Sequence, residues 1–430
     1  MTARENAGIV VIGGGIAGLC AAIAARRLGA SVLLTESAPM ALRGGNARHA
    51  RNFRIAHDAP LWHTPGAYPA AEFSAELAKI SGDRPEETLA GALIEESAQV
   101  ASWLMGCGVR LQAPDRGVLP YSRRTAFLLG GGKAMINALY ATAARIGVAI
   151  AYDSEVLALT PTRDGGWEAE IATGGATRRL NARAVVLASG GPGADPAWRR
   201  AHFGGNADDI LIRGSSYSNG RLMQRLVESG AQTVGDPSSC HMVAVDARGP
   251  AVDGGIVTRI TAIPQGLVVD RHAGTVEIAG AAPGKSHYAQ WGPRIAQCDG
   301  GLAFLILDAD GVSRSLPTAL APIAAPTLET LADALALDGA ALASSVAAFN
   351  QGARAIVRPP FSAFPMRAGL TFVHFGLAVD ADMRVAENLF AAGMIATPNF
   401  FTRFYLAGLG LTLSAVTGRR AGEAAARALA

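Results

Sequence analysis

Cysteine is scarce in this 430-residue chain. Cys20, Cys107, Cys240 and Cys298 stand apart and none sits at CxxC spacing, so the pattern indicates no zinc site, iron–sulfur site or covalent haem. Isolated thiols of this kind are expected in the core, in a reducing compartment. Long apolar runs are missing too. The longest, such as 302–307 and 185–188, fall far short of the roughly 20 residues that span a bilayer. Residues 1–8 are short and polar, which leaves no room for a signal peptide before the first apolar run. The expectation is a cytoplasmic protein, or one held at the inner face of the membrane through a partner. Charge is thin as well: 17% of residues are charged, the net charge is +3, and no long lysine or arginine run occurs. Nucleic acid is not an expected partner.

What is present is apolar residues, half of the chain, and 51 glycines. At this length that composition suits a loop-rich α/β protein of two or three domains. The most informative stretch comes first. Ile9 to Ile12 form a β-branched run, as a strand buried on both faces should. Gly13-Gly14-Gly15-Ile16-Ala17-Gly18 follows as a GxGxxG, then a helical run, then a second strand at 32–35 with Glu36 at its end. Gly13 suits the tight turn, Gly15 lets backbone N–H groups approach a pyrophosphate, and Gly18 lets the helix sit close on the sheet. The helix N-terminus then faces the phosphates, and Glu36 can accept hydrogen bonds from ribose hydroxyls. A GxGxxG alone is weak, but strand, helix, second strand and acid are all in place here, so a bound dinucleotide is expected.

Arg43-Gly44-Gly45-Asn46 begins a segment with four arginines and a histidine in twelve residues. Its composition fits either a solvated basic loop or a cofactor-facing turn; beside a dinucleotide site the second reading gains weight. Residues 85–106 read as an amphipathic helix. Gly130-Gly131-Gly132-Lys133 opens another helix, without a clear hydrophobic strand before it. A parallel strand at 148–151, a meander through 154–158 and 167–172, and a buried strand at 183–189 come next. Asn219-Gly220 precedes a helix over 221–229. From 236 to 363 periodicity is poor, apart from an Ala-rich helical passage at 327–349. The core pattern returns at 377–380 and 388–393, and a glycine-rich turn at 405–410 leads into a helix over 412–428 whose N-terminus is a second positive pole. Only one full GxGxxG occurs, so no separate nicotinamide domain is expected, and FAD fits better than NAD.

With these strings in view, the chain resembles the flavoprotein family of fumarate reductase, succinate dehydrogenase and 3-ketosteroid dehydrogenase. The resemblance rests on VIGGGIAGLCAA, RGGNARHARN, AVVLASGG, ENLFAAG and YLAGLGLTLSAVTGRRAG. RGGNARHARNFR, AFLLGGGKAMINALY, CHMVAVDARGP and YAQWG look closest to the branch of tricarballylate dehydrogenase and the precorrin-3B synthase flavoprotein. The resemblance implies an α/β fold: a Rossmann-like (GR2-type) FAD-binding domain in two chain segments, 1–236 and 364–430, with an inserted α+β capping domain at 237–363. It implies FAD held around Gly13, Gly15, Ile16, Ala17, Gly18, Glu36 and Ser37, with its ring near Arg43, Gly44, Gly45 and Asn46. Val156, Ala188, Ser189, Gly190, Asn219, Gly393, Thr412 and Leu413 complete that set. Covalently flavinylated members carry a His before Ala-Ala-Gln-Gly-Gly; that segment is absent, so the FAD is expected to be non-covalent.

Other departures bear on catalysis. The family's His-Pro-Thr appears as His241-Met242-Val243, which makes His241 a site candidate. The cap arginine that donates the proton in fumarate reductases is sought just before YAQWG, where Lys285, Ser286 and His287 stand, with Arg294 slightly beyond. The C-terminal arginine of that family falls at Tyr405. The acidic turn expected near 275–282 is missing. His241, Tyr405, His287 and Arg294 are therefore the catalytic candidates, and Arg124, Arg367, His374 and Arg403 the candidate substrate ligands. Each has a bland alternative: a surface salt bridge for an arginine, a satisfied core residue for a histidine or tyrosine.

The resemblance implies a flavin-dependent desaturation or its reverse on a small, anionic polycarboxylate such as tricarballylate. The chain lacks a cluster motif, so electrons would pass to a separate iron–sulfur or membrane partner. The alternatives are a precorrin-3B synthase-like monooxygenase, a 3-ketosteroid-dehydrogenase-like ketone desaturase favoured by Tyr405 and by few substrate-facing arginines, and a flavin-binding subunit that has lost catalysis. No metal site is expected.

Overall fold

Ile9, Val10 and Val11 are wholly buried because their strand, Glu5–Ile12, is paired on both sides. Val32–Thr35 and Ala176–Leu187 flank it, both parallel, and Ala149–Ala151 and Leu389–Ala391 extend the parallel sheet outward. A strand covered on both faces needs no polar alternation, which is why these runs read as continuous apolar stretches. The structure is a computed structural model that describes residues 5–82, 87–114, 122–278 and 288–430.

The chain divides into two compact units. The first comprises Met1–Asp195, Gly214–Cys240 and Phe372–Ala430; the second comprises Pro196–Arg213 and His241–Thr371. The second unit thus takes in residues 196–213, which carry no shift in composition that would detach them. Leu211–Ile212 pairs with Gly369 and Leu370 there, too short a strand to show a period.

Within the first unit, the helix Ile16–Arg27 follows the first strand and is buried through Ala25. The closing helix, Leu409–Arg427, lies directly on it. The approach depends on glycine: a Cβ at Gly418 would fall on the backbone of Ala17, and one at Gly422 on that of Ala21. Small residues four apart let two helix backbones come close, and this contact ties the end of the chain to its beginning. Cys20 and Cys107 lie in this core, as expected; Cys298 is buried, and Cys240 is half-buried.

One strand is longer than its expected bounds, and another lies where no clear strand was expected. The strand placed at 183–189 begins at Ala176. Its first half pairs antiparallel with Trp167–Thr173, and its second half pairs with Leu389–Ala391 on that same side, so only the second half is buried enough to look like core. The glycine triplet at 130–132 does follow a strand, Thr125–Leu128, all of it buried. That strand belongs to a small antiparallel sheet with Asn52–Arg54 and Leu111–Gln112, so the turn after it is not the strand-to-helix turn of a dinucleotide unit.

The second unit is built on an antiparallel sheet in which Ala303–Leu307 pairs with Leu267–Asp270 on one side and residues 362–366 on the other. Period-2 alternation splits these strands between two cores. Leu267, Val269, Phe304 and Ile306 face the helices Leu328–Leu335 and Gly339–Phe349. Val268, Leu305 and Leu307 face Ile260, Ile263 and Ile295.

Candidate functional site

A cleft with about 940 Å³ of empty space, open mouth included, lies in the first unit where the strands end. Its floor is the turn Gly13-Gly14-Gly15. Gly13 takes a left-handed φ of 104°, and a Cβ there would collide with Ala188. The helix Ile16–Arg27 that starts here has no side-chain cap and no acid in its first turn. Its first N–H groups therefore have no intrahelical acceptor and face the cleft with the positive end of the helix dipole. That is the local chemistry a pyrophosphate needs.

Glu36 stands at the end of Val32–Thr35, 4% exposed. The Ala38 N–H donates to its Oε1 at 3.0 Å and the Gly44 N–H to its Oε2 at 3.2 Å. The Tyr140 hydroxyl approaches Oε2 at 3.5 Å. A carboxylate so oriented keeps lone pairs for a ribose. Burial and the neighbouring Glu36 charge push the Tyr140 phenol upward, so it stays a donor. Tyr140 comes from the helix Gly131–Arg145, and its sequence context gave no sign of this role.

Of the residues expected around a cofactor, Gly13, Gly15, Ile16, Ala17, Glu36, Ser37, Gly44, Gly45, Asn46, Val156, Ala188, Ser189, Gly190 and Asn219 line the cleft. Gly15 and Gly45 have no atom within 3.5 Å of an added Cβ, so a side chain at either would project into free space. The buried Ser189 hydroxyl has no hydrogen-bond partner among the described residues. Five others do not line it. Gly18 packs on Gly13 and Ala188. Gly393 packs on Ala17 and donates its N–H to Thr417 Oγ1 at 3.0 Å. Leu413 is fully buried. The Thr412 hydroxyl accepts from the Arg54 N–H at 2.9 Å and donates to the Arg54 carbonyl, which turns it toward the small sheet. Arg43 donates to Asn137 Oδ1 at 2.9 Å and stacks over Tyr140. Ser414 and Met394, which the sequence did not single out, do line the cleft.

Beyond the Met394 end, the first unit carries an aromatic group. Phe372 lies 5.4 Å from His374 and 5.6 Å from Tyr405, and His374 lies 5.6 Å from Phe401, all edge-on. The Gly410 N–H, at the start of the closing helix, donates to the Tyr405 hydroxyl at 3.1 Å. His374 is fully buried. The Ser239 hydroxyl donates to the Thr402 carbonyl at 3.1 Å and pairs with His374 Nδ1 at 2.8 Å. With the hydroxyl proton on the Thr402 carbonyl, Nδ1 is the donor to Ser239, and Nε2, for which the described residues offer no hydrogen-bond partner, is the acceptor nitrogen. Burial pulls the imidazole down to about 4, so it is neutral at pH 7.

The expected arginine clamps are committed elsewhere. Arg124 pairs with Glu72 and Glu76, both at 2.9 Å, on the first unit. Arg367 pairs with Asp209 at 2.6 Å and donates to the Gly300 carbonyl at 3.1 Å. Arg294 donates from Nε to the Glu277 carbonyl at 3.0 Å. Arg403 is exposed. His241, 4% exposed, lies in the second unit with its ring 6.2 Å from that of Tyr288. His287, with Lys285 and Ser286, lies outside the described residues.

The glycine turn, the uncapped helix and the buried acid make this a Rossmann-type dinucleotide-binding protein. The chain belongs to the FAD binding domain family, which it matches over residues 8–411, and FAD is its cofactor. Open space over Gly15 and Gly45 and the orphaned Ser189 hydroxyl fit an FAD in the cleft. A probable fumarate reductase, Ifc3, of Shewanella frigidimarina is 29% identical over 195 residues, 44% of this chain and 33% of that protein. The chain thus spans about a third of that relative. A flavocytochrome c3 fumarate reductase in its open conformation superposes over 99% of this chain and 79% of its own, with TM-score 0.79 and 20% identity. A 3-ketosteroid-Δ4-(5α)-dehydrogenase of Rhodococcus jostii RHA1 does so over 99% and 98%, with TM-score 0.72 and 21% identity. A 3-ketosteroid Δ1-dehydrogenase of Sterolibacterium denitrificans does so over 99% and 100%, with TM-score 0.78 and 18% identity. These likenesses establish the fold.

Proposed function

We propose that this protein is an FAD-dependent oxidoreductase acting on a CH–CH bond next to a carbonyl, and that the carbonyl belongs to a ketone in a largely apolar substrate. The observation that carries this reading is the pairing of Tyr405 with Gly410 beside an aromatic wall. The Tyr405 oxygen accepts from the Gly410 N–H, and accepting one hydrogen bond strengthens the one a phenol donates. The closing helix begins there without a capping side chain or an acid in its first turn. Its dipole and the phenol would together stabilise negative charge growing on a carbonyl oxygen. FAD, when bound, takes up or supplies the hydride. His374, in the tautomer that donates from Nδ1 to Ser239, offers Nε2 as the wall's acceptor for the proton that leaves the adjacent carbon. Phe372 and Phe401 keep water from both groups.

A polycarboxylate such as tricarballylate is the second reading, and the similarity to a probable fumarate reductase favours it. Against it, Arg124 and Arg367 already hold carboxylates of this chain. In either reading electrons leave to a separate acceptor, such as an iron–sulfur or membrane protein. Among the described residues no acidic, histidine and cysteine group could hold a metal, and no helix is long and apolar enough to cross a membrane.

An anaerobic titration of the yellow holoprotein tests this. Bleaching by a 3-ketosteroid and not by tricarballylate supports the ketone reading. Bleaching by tricarballylate alone overturns it in favour of the second. No bleaching by either removes both and leaves the precorrin-3B synthase-like monooxygenase and the non-catalytic flavin subunit.

A further inference from the structure

Arg54 is one of the four arginines in the segment that begins at Arg43. It neither lines the cleft nor meets solvent, being only 5% exposed. It ends the strand Asn52–Arg54 of the small sheet and stands opposite Thr125 there. Its backbone also holds the start of the closing helix. The Arg54 N–H donates to Thr412 Oγ1 at 2.9 Å and to the Gly408 carbonyl at 3.2 Å, and the Arg54 carbonyl accepts from the Thr412 hydroxyl. Gly408 takes a left-handed φ of 81°, and a Cβ on it would come within 2.9 Å of the Arg54 nitrogen.

The side chain turns to the same stretch. Nε donates to the Ala407 carbonyl at 3.1 Å, while Nη1 donates to the Tyr68 hydroxyl and to Glu76 Oε2, both at 2.6 Å. The Tyr68 hydroxyl in turn donates to Glu76 Oε2 at 2.7 Å. Tyr68 is fully buried, and Glu76 comes from the helix Ala70–Ser81. One guanidinium thus fastens the turn before the closing helix to a helix far earlier in the chain. A buried ion pair is poor evidence for stability, since apolar residues of similar volume often hold a core as well. What a guanidinium adds is direction: its donors diverge at fixed angles in one plane, and here they set the turn against Tyr68 and Glu76.

The two carbonyls so held, at 407 and 408, lie between Tyr405 and Gly410, whose hydroxyl and N–H meet at 3.1 Å. We propose that Arg54 is a positioning residue that keeps the Tyr405 hydroxyl and the Gly410 N–H in register. Without its Nε contact and its backbone clasp, the turn can swing about Gly408 and the pair parts. The kinetic consequence rests on the reading that Tyr405 acts on a ketone; the placement of the turn does not. In the sequence Arg54 shows its charge and not its burial, so it reads as one more member of a basic segment.

The test uses the FAD-loaded protein as wild type, Arg54→Lys, Thr412→Val, Tyr405→Phe and the R54K/Y405F double variant. Arg123→Gln is the control: it opens the outer Arg123–Glu72 pair at 2.6 Å and leaves Arg54 untouched. Lysine can keep a charge beside Glu76 but has no second donor for the Ala407 carbonyl. Hydrogen–deuterium exchange reads the placement. Residues 405–412 should exchange roughly 5- to 10-fold faster in R54K, the effect of one net hydrogen bond, and at the wild-type rate in R123Q. Steady-state turnover of a 3-ketosteroid with a dye as electron acceptor reads the consequence. R54K should lower kcat about 10-fold with KM nearly unchanged, and should add less than about 2-fold to the loss in Y405F. T412V keeps the ion pair and loses the clasp; it should show the same signature in smaller measure, and it carries the test if R54K does not fold. Wild-type exchange at 405–412 in these variants would overturn the proposal, as would a rise in KM in place of the fall in kcat, or full additivity with Y405F. If wild type leaves the 3-ketosteroid untouched, or Y405F turns it over normally, the ketone reading fails, and the exchange result alone upholds or overturns the role of Arg54.

Discussion

The Tyr140 hydroxyl sits 3.5 Å from Glu36 Oε2, at the point where a Cβ on Gly14 would fall. The phenol therefore orients the carboxylate and also requires glycine at position 14. Tyr140→Phe keeps the packing, including the Arg43 stack at 4.8 Å, and removes only the donor. FAD affinity should fall about 5- to 10-fold, as for one hydrogen bond of about 1 to 1.5 kcal/mol. FMN, which has no adenosine ribose, should bind wild type and variant alike. Flavin fluorescence quenching on the apoprotein reads both constants; an equal loss for FMN would show that Tyr140 acts on packing rather than on Glu36.

Gly418 and Gly422 set the distance between the two terminal helices. A valine at 418 would drive its Cβ into the Ala17 backbone, next to the first N–H groups of the phosphate-facing helix. Overpacking of this kind costs roughly 1–3 kcal/mol. G418V should lower the Tm and weaken FAD binding together, because the displaced helix is the one that faces the cofactor. A lowered Tm with unaltered FAD affinity would mean that the strain is absorbed at the far ends of the helices.

His374 gives the first unit a pH dependence. Its folded value, about 4, lies below the ordinary 6.5, because burial disfavours the imidazolium. In the window between the two values the unfolded chain binds a proton that the folded chain does not. Stability from this group is therefore complete above about pH 6.5 and is lost as pH falls toward 4, by up to about 1.4 kcal/mol per unit and on the order of 3 kcal/mol in all. Denaturant titrations from pH 7 to 4.5 should show a shallower loss for His374→Asn than for wild type. Parallel curves would place the imidazole in a more hydrated setting.

The parts legible in the sequence were those with a local signal. Gly13 to Gly18 and Glu36 announce themselves because a tight turn, a close backbone approach and a strand-end acid each demand a residue type at a fixed spacing. Ile9 to Ile12 did so because burial on both faces removes alternation. The arginines were less legible. Arg124 looks like an anion clamp until Glu72 and Glu76, some fifty residues earlier, fold against it. Tyr140 carried no motif, since its importance comes from the Glu36 that folding places beside it. Thr412 shows the converse. Its place at the start of the closing helix suggested a cofactor contact, but its hydroxyl has a backbone partner at Arg54.

Tyr405 and Arg124 separate the two substrate readings by their kinetics. Tyr405→Phe removes the phenol hydroxyl and leaves the ring against Phe372. If the phenol stabilises charge that develops on a carbonyl, kcat should drop about 10²- to 10³-fold with KM nearly unchanged. The flavin spectrum and the FAD affinity should not move. Arg124→Gln breaks the contacts with Glu72 and Glu76 and leaves the Arg54–Glu76 pair at 2.6 Å, so it should lower the Tm and spare both kinetic constants. A polycarboxylate enzyme would respond in the opposite way, with KM rising in R124Q and kcat little changed in Y405F. Steady-state assays of the two variants with a 3-ketosteroid and with tricarballylate therefore decide between a phenol that polarises a ketone and an arginine that clamps an acid.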